Sequence, residues 1–135
     1  MPVATVVLPT PECVPATTNR ALRERMAEDH RARAGGEPLL GAPGAYSYRL
    51  TWEEIAAQEP EVVVFMPCGY HLEAACAQAV HLLERPELAG AERFLAADSG
   101  GYFSRPGPRL VDGVEALAAS FHGPGELPAI VARLR

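Results

Sequence analysis

The sequence predicts an α/β fold: a single Rossmann-like lobe built on a mostly parallel sheet with helices on both faces. Val62–Met66 (VVVFM) is apolar at every position, as a strand buried on both sides must be. Short apolar runs at Val3–Leu8, Val62–Met66 and Phe94–Ala97 alternate with longer segments of helical periodicity, the pattern of parallel strands joined by helical crossovers. At 135 residues the chain is long enough for one core and too short for two, so residues 1–135 are expected to form one lobe.

The elements follow in order. Val3–Leu8, closed by Pro9, is the first strand. Thr17, Thr18 and Asn19 offer N-caps for a charged, weakly amphipathic helix over Arg20–Ala34 that stops at Gly35-Gly36. Pro38–Tyr48 reads as a connection holding a short extended piece around Leu39 and Leu40. Thr51 with Glu54 makes a capping box that opens a short helix ended by Pro60, with Trp52 and Ile55 as its apolar contacts. The spacing of Leu72, Ala75, Cys76, Ala79, Val80 and Leu83 predicts a helix over Tyr70–Arg85. Leu110, Val111, Val114, Leu117, Ala118 and Phe121 predict another from about Pro108 to Phe121, with Pro108 in its first turn. Gly123-Pro124-Gly125 breaks the chain, and Leu127–Leu134 is expected to add a terminal helix.

Composition removes several functions. A net charge of −5 disfavours sequence-independent attraction to nucleic acid or anionic lipid, since both need a cationic patch. No apolar run approaches the ~20 residues that span a bilayer, so no membrane insertion is expected. All the basic residues are arginine, which reads as base-composition bias of the gene. Cys13, Cys68 and Cys76 are an odd number at irregular spacing, which fits neither a disulfide scaffold nor a zinc ribbon.

Ligands of open α/β sheets bind beyond the carboxyl ends of the strands. That rule selects Thr10–Cys13, Pro67-Cys68-Gly69-Tyr70 and Asp98-Ser99-Gly100-Gly101-Tyr102-Phe103 as one rim. Its rings and glycines suit the flat face of a large ligand, because glycine lets backbone approach closely; the alternative is that Tyr102 and Phe103 cap the core. Cys68, between a strand and a helix N-terminus, has a competing role as an enzyme nucleophile. A small phosphatase would need arginine six positions after its cysteine, yet Arg20 falls seven after Cys13 and Ala74 six after Cys68. Cys68 and His71 could begin a metal site, but no second pair completes it. His30, His81 and His122 fall on polar faces, and Cys76 lies in an apolar stripe as a core thiol. Arg105 and Arg109 flank a helix start, where they either attract an anion or stand solvated. Neither paired carboxylates for acid–base work nor a phosphate-binding glycine loop is apparent, so no catalysis and no cofactor are expected.

Five stretches carry a family resemblance: Gly35-Gly36-Glu37-Pro38-Leu39-Leu40-Gly41, Thr51-Trp52-Glu53-Glu54-Ile55, Glu59-Pro60-Glu61-Val62-Val63-Val64, Met66-Pro67-Cys68-Gly69, and the long run from Tyr102 to Gly113 (YFSRPGPRLVDG). Together they resemble the C-terminal lobe of cobalamin-binding-type periplasmic receptors of ABC importers, over about residues 35–122, with residues 1–34 divergent. The resemblance implies a binding lobe whose cargo is a corrinoid or ferric siderophore, with Tyr102 as a cleft aromatic and Pro67, Cys68, Gly69 and Tyr70 lining the same cleft. Phe103 and Arg105 belong to the same motif. It further implies a complementary lobe, a permease partner and a periplasmic or cell-surface location. Met1–Asn19 reads as no signal peptide, so the chain taken as complete is expected in the cytoplasm. Where the resembling vitamin receptors place a glutamate that meets the permease, this chain has Ser104. The alternative is a stand-alone interaction domain that keeps the fold without transport.

Overall fold

Valine and isoleucine favour extended backbone because branching at Cβ restricts the side chain against a helix's preceding turn. The computed structural model describes residues 3–8, 34–40, 49–105, 107–123 and 125–135. In it the apolar runs are strands: β1 (Val3–Leu8), β3 (Val62–Phe65) and β4 (Arg93–Ala97). A short β2 (Gly36–Pro38) and β5 (Val131–Arg133) complete a five-stranded sheet of order β2-β1-β3-β4-β5. β1 runs parallel to both β2 and β3, and β3 parallel to β4, while β5 is antiparallel to β4. The helices are α1 (Trp52–Ala56), α2 (Leu72–Leu83), α3 (Ser99–Tyr102) and α4 (Arg109–His122), with a 3-10 turn at Pro86–Leu88. The helix expected over Arg20–Ala34 lies outside the described residues except for Ala34, which sits in a turn; Thr10–Cys13, His30 and residues 41–48 lie outside them too.

Successive strand residues point to opposite faces, and the two central strands divide their side chains accordingly. Val63, Phe65, Phe94 and Ala96 face Ile55 of α1, Ala75 and Ala79 of α2, and Leu88. Val62, Val64, Leu95 and Ala97 face Ala116, Leu117 and Phe121 of α4, and Val131. The register Val62↔Arg93, Val63↔Phe94 aligns the two sets, so each face presents one apolar surface. That explains why VVVF is apolar throughout: all three valines are fully buried, each contributing about 1.5–3 kcal/mol.

Local expectations and structure part company in four places. The extended piece falls at Gly36–Pro38 rather than at Leu39 and Leu40, because this is the stretch whose backbone comes into register with Val3–Thr5 of β1. The terminal helix over Leu127–Leu134 is instead turn and strand. Without a partner the outer edge of β4 would leave amide and carbonyl groups unpaired, and Val131–Arg133 satisfies them. Pro128 also cannot donate, and its carbonyl accepts from the Val131 amide in a turn at 2.9 Å. Val80 and Val111, counted in the apolar stripes, are 52% and 62% exposed. Val80 follows Ala79, which faces the sheet, and one residue turns a helix by about 100°; the buried stripe of α4 starts at Gly113, beyond Val111. The Thr51–Glu54 capping box forms as expected, with the Thr51 amide donating to Glu54 Oε2 at 2.7 Å and the Glu54 amide to Thr51 Oγ1 at 3.2 Å.

Candidate functional site

The strand order fixes where the winding of the sheet reverses. From β1 the chain moves outward to β2, then returns to place β3 on the other side of β1, so the winding reverses between β1 and β3. Loops leaving the carboxyl ends at such a reversal diverge and open a crevice. β1, β3 and β4 are parallel, so the segments following β3 and β4 emerge on the same rim. Thr10–Cys13, expected on that rim after β1, lies outside the described residues.

After β3 the chain makes a tight turn. The Tyr70 amide donates to the Pro67 carbonyl at 3.1 Å, and Gly69, third of the four residues, has φ +80°, the requirement of a type II turn. Among the described residues nothing stands within 4 Å of where a Gly69 side chain would begin, so glycine is there for its backbone. After β4, the Asp98 carboxylate caps α3 by accepting from the Gly101 amide at 2.8 Å.

The two segments are bonded to each other through main chain and hydroxyls. The Gly100 amide donates to the Tyr70 carbonyl at 2.8 Å, and a side chain at Gly100 would come within 2.9 Å of the Gly69 carbonyl. The Gly69 amide donates to Ser104 Oγ at 2.8 Å, and Ser104 Oγ pairs with the buried Ser99 hydroxyl at 3.0 Å. Ser104 therefore faces inward as a fastening between loops, a use that the sequence alone did not suggest.

The remaining site residues fall into two groups. Pro67 is fully buried, Tyr70 packs against the α2-side core, and Phe103 packs into the α4-side core with its ring over Gly113, where even a methyl group would come within 2.8 Å of it. Cys68 is half-exposed, Gly69 and Arg105 are exposed, and Tyr102 is half-buried with the Arg109 guanidinium 5.9 Å above its ring. Of the two aromatics set side by side in sequence, Phe103 closes the core and Tyr102 stays at the rim beneath a cation. Tyr70 also borders a shallow open depression of about 410 Å³, lined by Ala74, Ala77, Gln78 and His81 of α2.

Titratable groups on the rim pair in a way the sequence did not announce. His71, the N-cap residue of α2, holds its Nδ1 3.1 Å from Asp98 Oδ1 and 3.3 Å from Oδ2. No hydrogen bond joins Cys68 to His71, and among the described residues no three His, Cys, Asp or Glu side chains converge in a metal-holding group. Cys76 is partly buried against the α2-side core, and burial pushes its thiol above the usual range. The signal for the His71–Asp98 pair was positional: each residue follows one of two neighbouring parallel strands, β3 and β4, so both arrive at the same rim.

No protein-family model matches the chain, and no curated protein matches it. Among solved structures, a periplasmic heme-binding protein from Pseudomonas aeruginosa is similar, with a TM-score of 0.62 and 24% sequence identity. The similarity covers 98% of this chain and 48% of that one, so the chain spans about half the length of its structural neighbour. At this identity the likeness is one of fold: the α/β sheet and flanking helices described above match about half of that structure.

Proposed function

We propose that the chain is a ligand-binding lobe of an ABC-importer substrate-binding protein and that its cargo is a metal tetrapyrrole: a corrin such as cobalamin or a porphyrin such as heme. The observation that carries this reading is the carboxyl-end rim, where loops from two parallel strands are fastened through Gly69, Gly100, Ser99 and Ser104 and leave Tyr102, Cys68 and Gly69 facing outward. The family resemblance favours a corrin, and the heme-binding protein that shares the fold favours a porphyrin. Both ligands present a broad flat face, which low glycine backbone beside an aromatic ring can cover.

Such a lobe holds and orients its cargo without changing it. Pockets normally bury most of a ligand, and one rim covers only one face. A complementary lobe covers the other, and the closed pair delivers the cargo to a permease from the periplasm or cell surface. With Ser104 turned inward, docking to the permease uses other residues of the lobe.

The test is titration of the purified chain with hemin, cyanocobalamin and a ferric siderophore, followed by visible absorbance and calorimetry. Saturable binding of a tetrapyrrole is expected, and Tyr102→Ala should weaken it roughly tenfold, the loss of one aromatic contact, while the melting temperature stays within a few degrees. Binding of the siderophore alone would replace the cargo assignment, and failure to bind any of the three would favour an interaction domain.

A further inference from the structure

We propose that His71 is an axial ligand to the metal of the tetrapyrrole, with Asp98 as the positioning residue that fixes its ring; this rests on the cargo reading above. A tetrapyrrole supplies four nitrogens to its metal and leaves the protein only one or two coordination positions to fill. Such a site therefore needs one correctly held donor rather than a cluster.

His71 meets the requirements of that donor. Its side chain is 75% exposed, so a large ligand can reach it, while the Asp98 side chain is only 17% exposed. The exposed ring is thus held by a sheltered carboxylate, itself fixed by the Gly101 amide. Donation of Nδ1–H to a carboxylate selects the tautomer whose lone pair lies on Nε2, and this is how metal-bound histidines are usually supported. Nε2 makes no hydrogen bond among the described residues. Coordination then requires no redox step: in the Nδ1–H tautomer the Nε2 lone pair is donated to the metal and a metal-bound water leaves.

The neighbouring donors are less well prepared. The Cys68 thiol, three positions before His71, has no hydrogen-bond partner among the described residues, and Tyr70 is packed against the core. His81 and His122 are exposed, and neither is bonded to a carboxylate among the described residues.

The experiment is titration of the wild-type chain with hemin, and in parallel with diaquocobinamide, whose cobalt has open axial positions. Soret absorbance and the electron paramagnetic resonance spectrum of the ferric complex report the axial ligand. We expect a one-to-one complex with an imidazole signature that His71→Ala abolishes and that added imidazole restores. His30→Ala, His81→Ala and His122→Ala should leave the signature unchanged. Asp98→Asn keeps an acceptor for the Gly101 amide, and it should retain the imidazole signature but bind about 10–100-fold more weakly. Circular dichroism melts confirm that each variant is folded. A wild-type complex whose spectrum survives His71→Ala would overturn the ligand assignment and leave the cargo reading standing. Loss of the signature in Cys68→Ser would move the ligand to that thiolate, and wild-type affinity in Asp98→Asn would remove the positioning role. Binding of neither tetrapyrrole by the wild-type chain would overturn cargo and ligand together.

Discussion

The two ends of the sheet are closed by different chemistry. At the amino ends, long side chains reach across to helix and turn carbonyls. Arg93 donates to the Ser120 and Phe121 carbonyls at 3.0 and 3.1 Å, at the C-terminal end of α4 where a cation is favoured. Arg135 donates to the Leu88 and Ala91 carbonyls at 3.1 and 3.4 Å and lies over the Phe94 ring at 4.6 Å. At the carboxyl ends the fastenings are amides, carbonyls, two serine hydroxyls and the Asp98 carboxylate with His71. Under the proposed function the contrast separates stability from binding: the long arginine anchors occupy the end away from the proposed ligand, and the shorter fastenings the end it would approach.

That separation can be broken by substitution. Arg93→Ala should have the largest effect on stability, about 2–3 kcal/mol by urea unfolding, because it removes two charge-assisted bonds to helix-end carbonyls. Hemin affinity should not change, and a parallel loss of binding would mean that the two ends are coupled. Ser104→Ala should cost about 1 kcal/mol of stability, since the Gly69 amide lies at the exposed rim and can turn to water. Its larger consequence should be a several-fold loss of hemin affinity, as the turn after β3 loses its tie; full affinity would show that the turn keeps its shape without the hydroxyl.

Cys76 tests where the rim gives way to core. Its folded-state pKa lies above its ordinary value of 9.0 because burial disfavours the thiolate. The native chain then keeps a proton that the unfolded chain loses, so this group's contribution to stability declines as pH rises past 9.0. Unfolding free energies from urea titrations across that range should fall less steeply in Cys76→Ala than in the wild type. An equal decline in both would place the thiol in water.

Much of the fold was legible because burial on two faces writes itself into composition. Val62–Phe65 has no polar residue, and the helices that cover it repeat alanine and leucine at helical spacing. β5 was not legible, because Leu127, Ile130, Val131 and Leu134 also fit one helical face, and the decision is made by the vacant edge of β4, a long-range partner invisible in local pattern. In the same way the rim segments could be located from the strand ends, but the division of labour between Tyr102 and Phe103 depended on Gly113, ten residues beyond Phe103, where a missing side chain makes room for the ring. The His71–Asp98 pair likewise required knowing that β3 and β4 are neighbours.

The turn at Pro67–Tyr70 and its contact with Gly100 carry one more consequence. Because the shape of this rim is written in main-chain bonds and two glycines, the outward side chains at Cys68, Tyr102 and Arg105 take little part in holding it. Under the proposed function, exchanging them would alter what the lobe recognises without asking it to refold. On the proposed reading, a scaffold built this way is open to evolutionary retuning: single substitutions at those outward positions would shift its preference from one flat cargo to another while the glycines and the inward serine keep the shape of the rim.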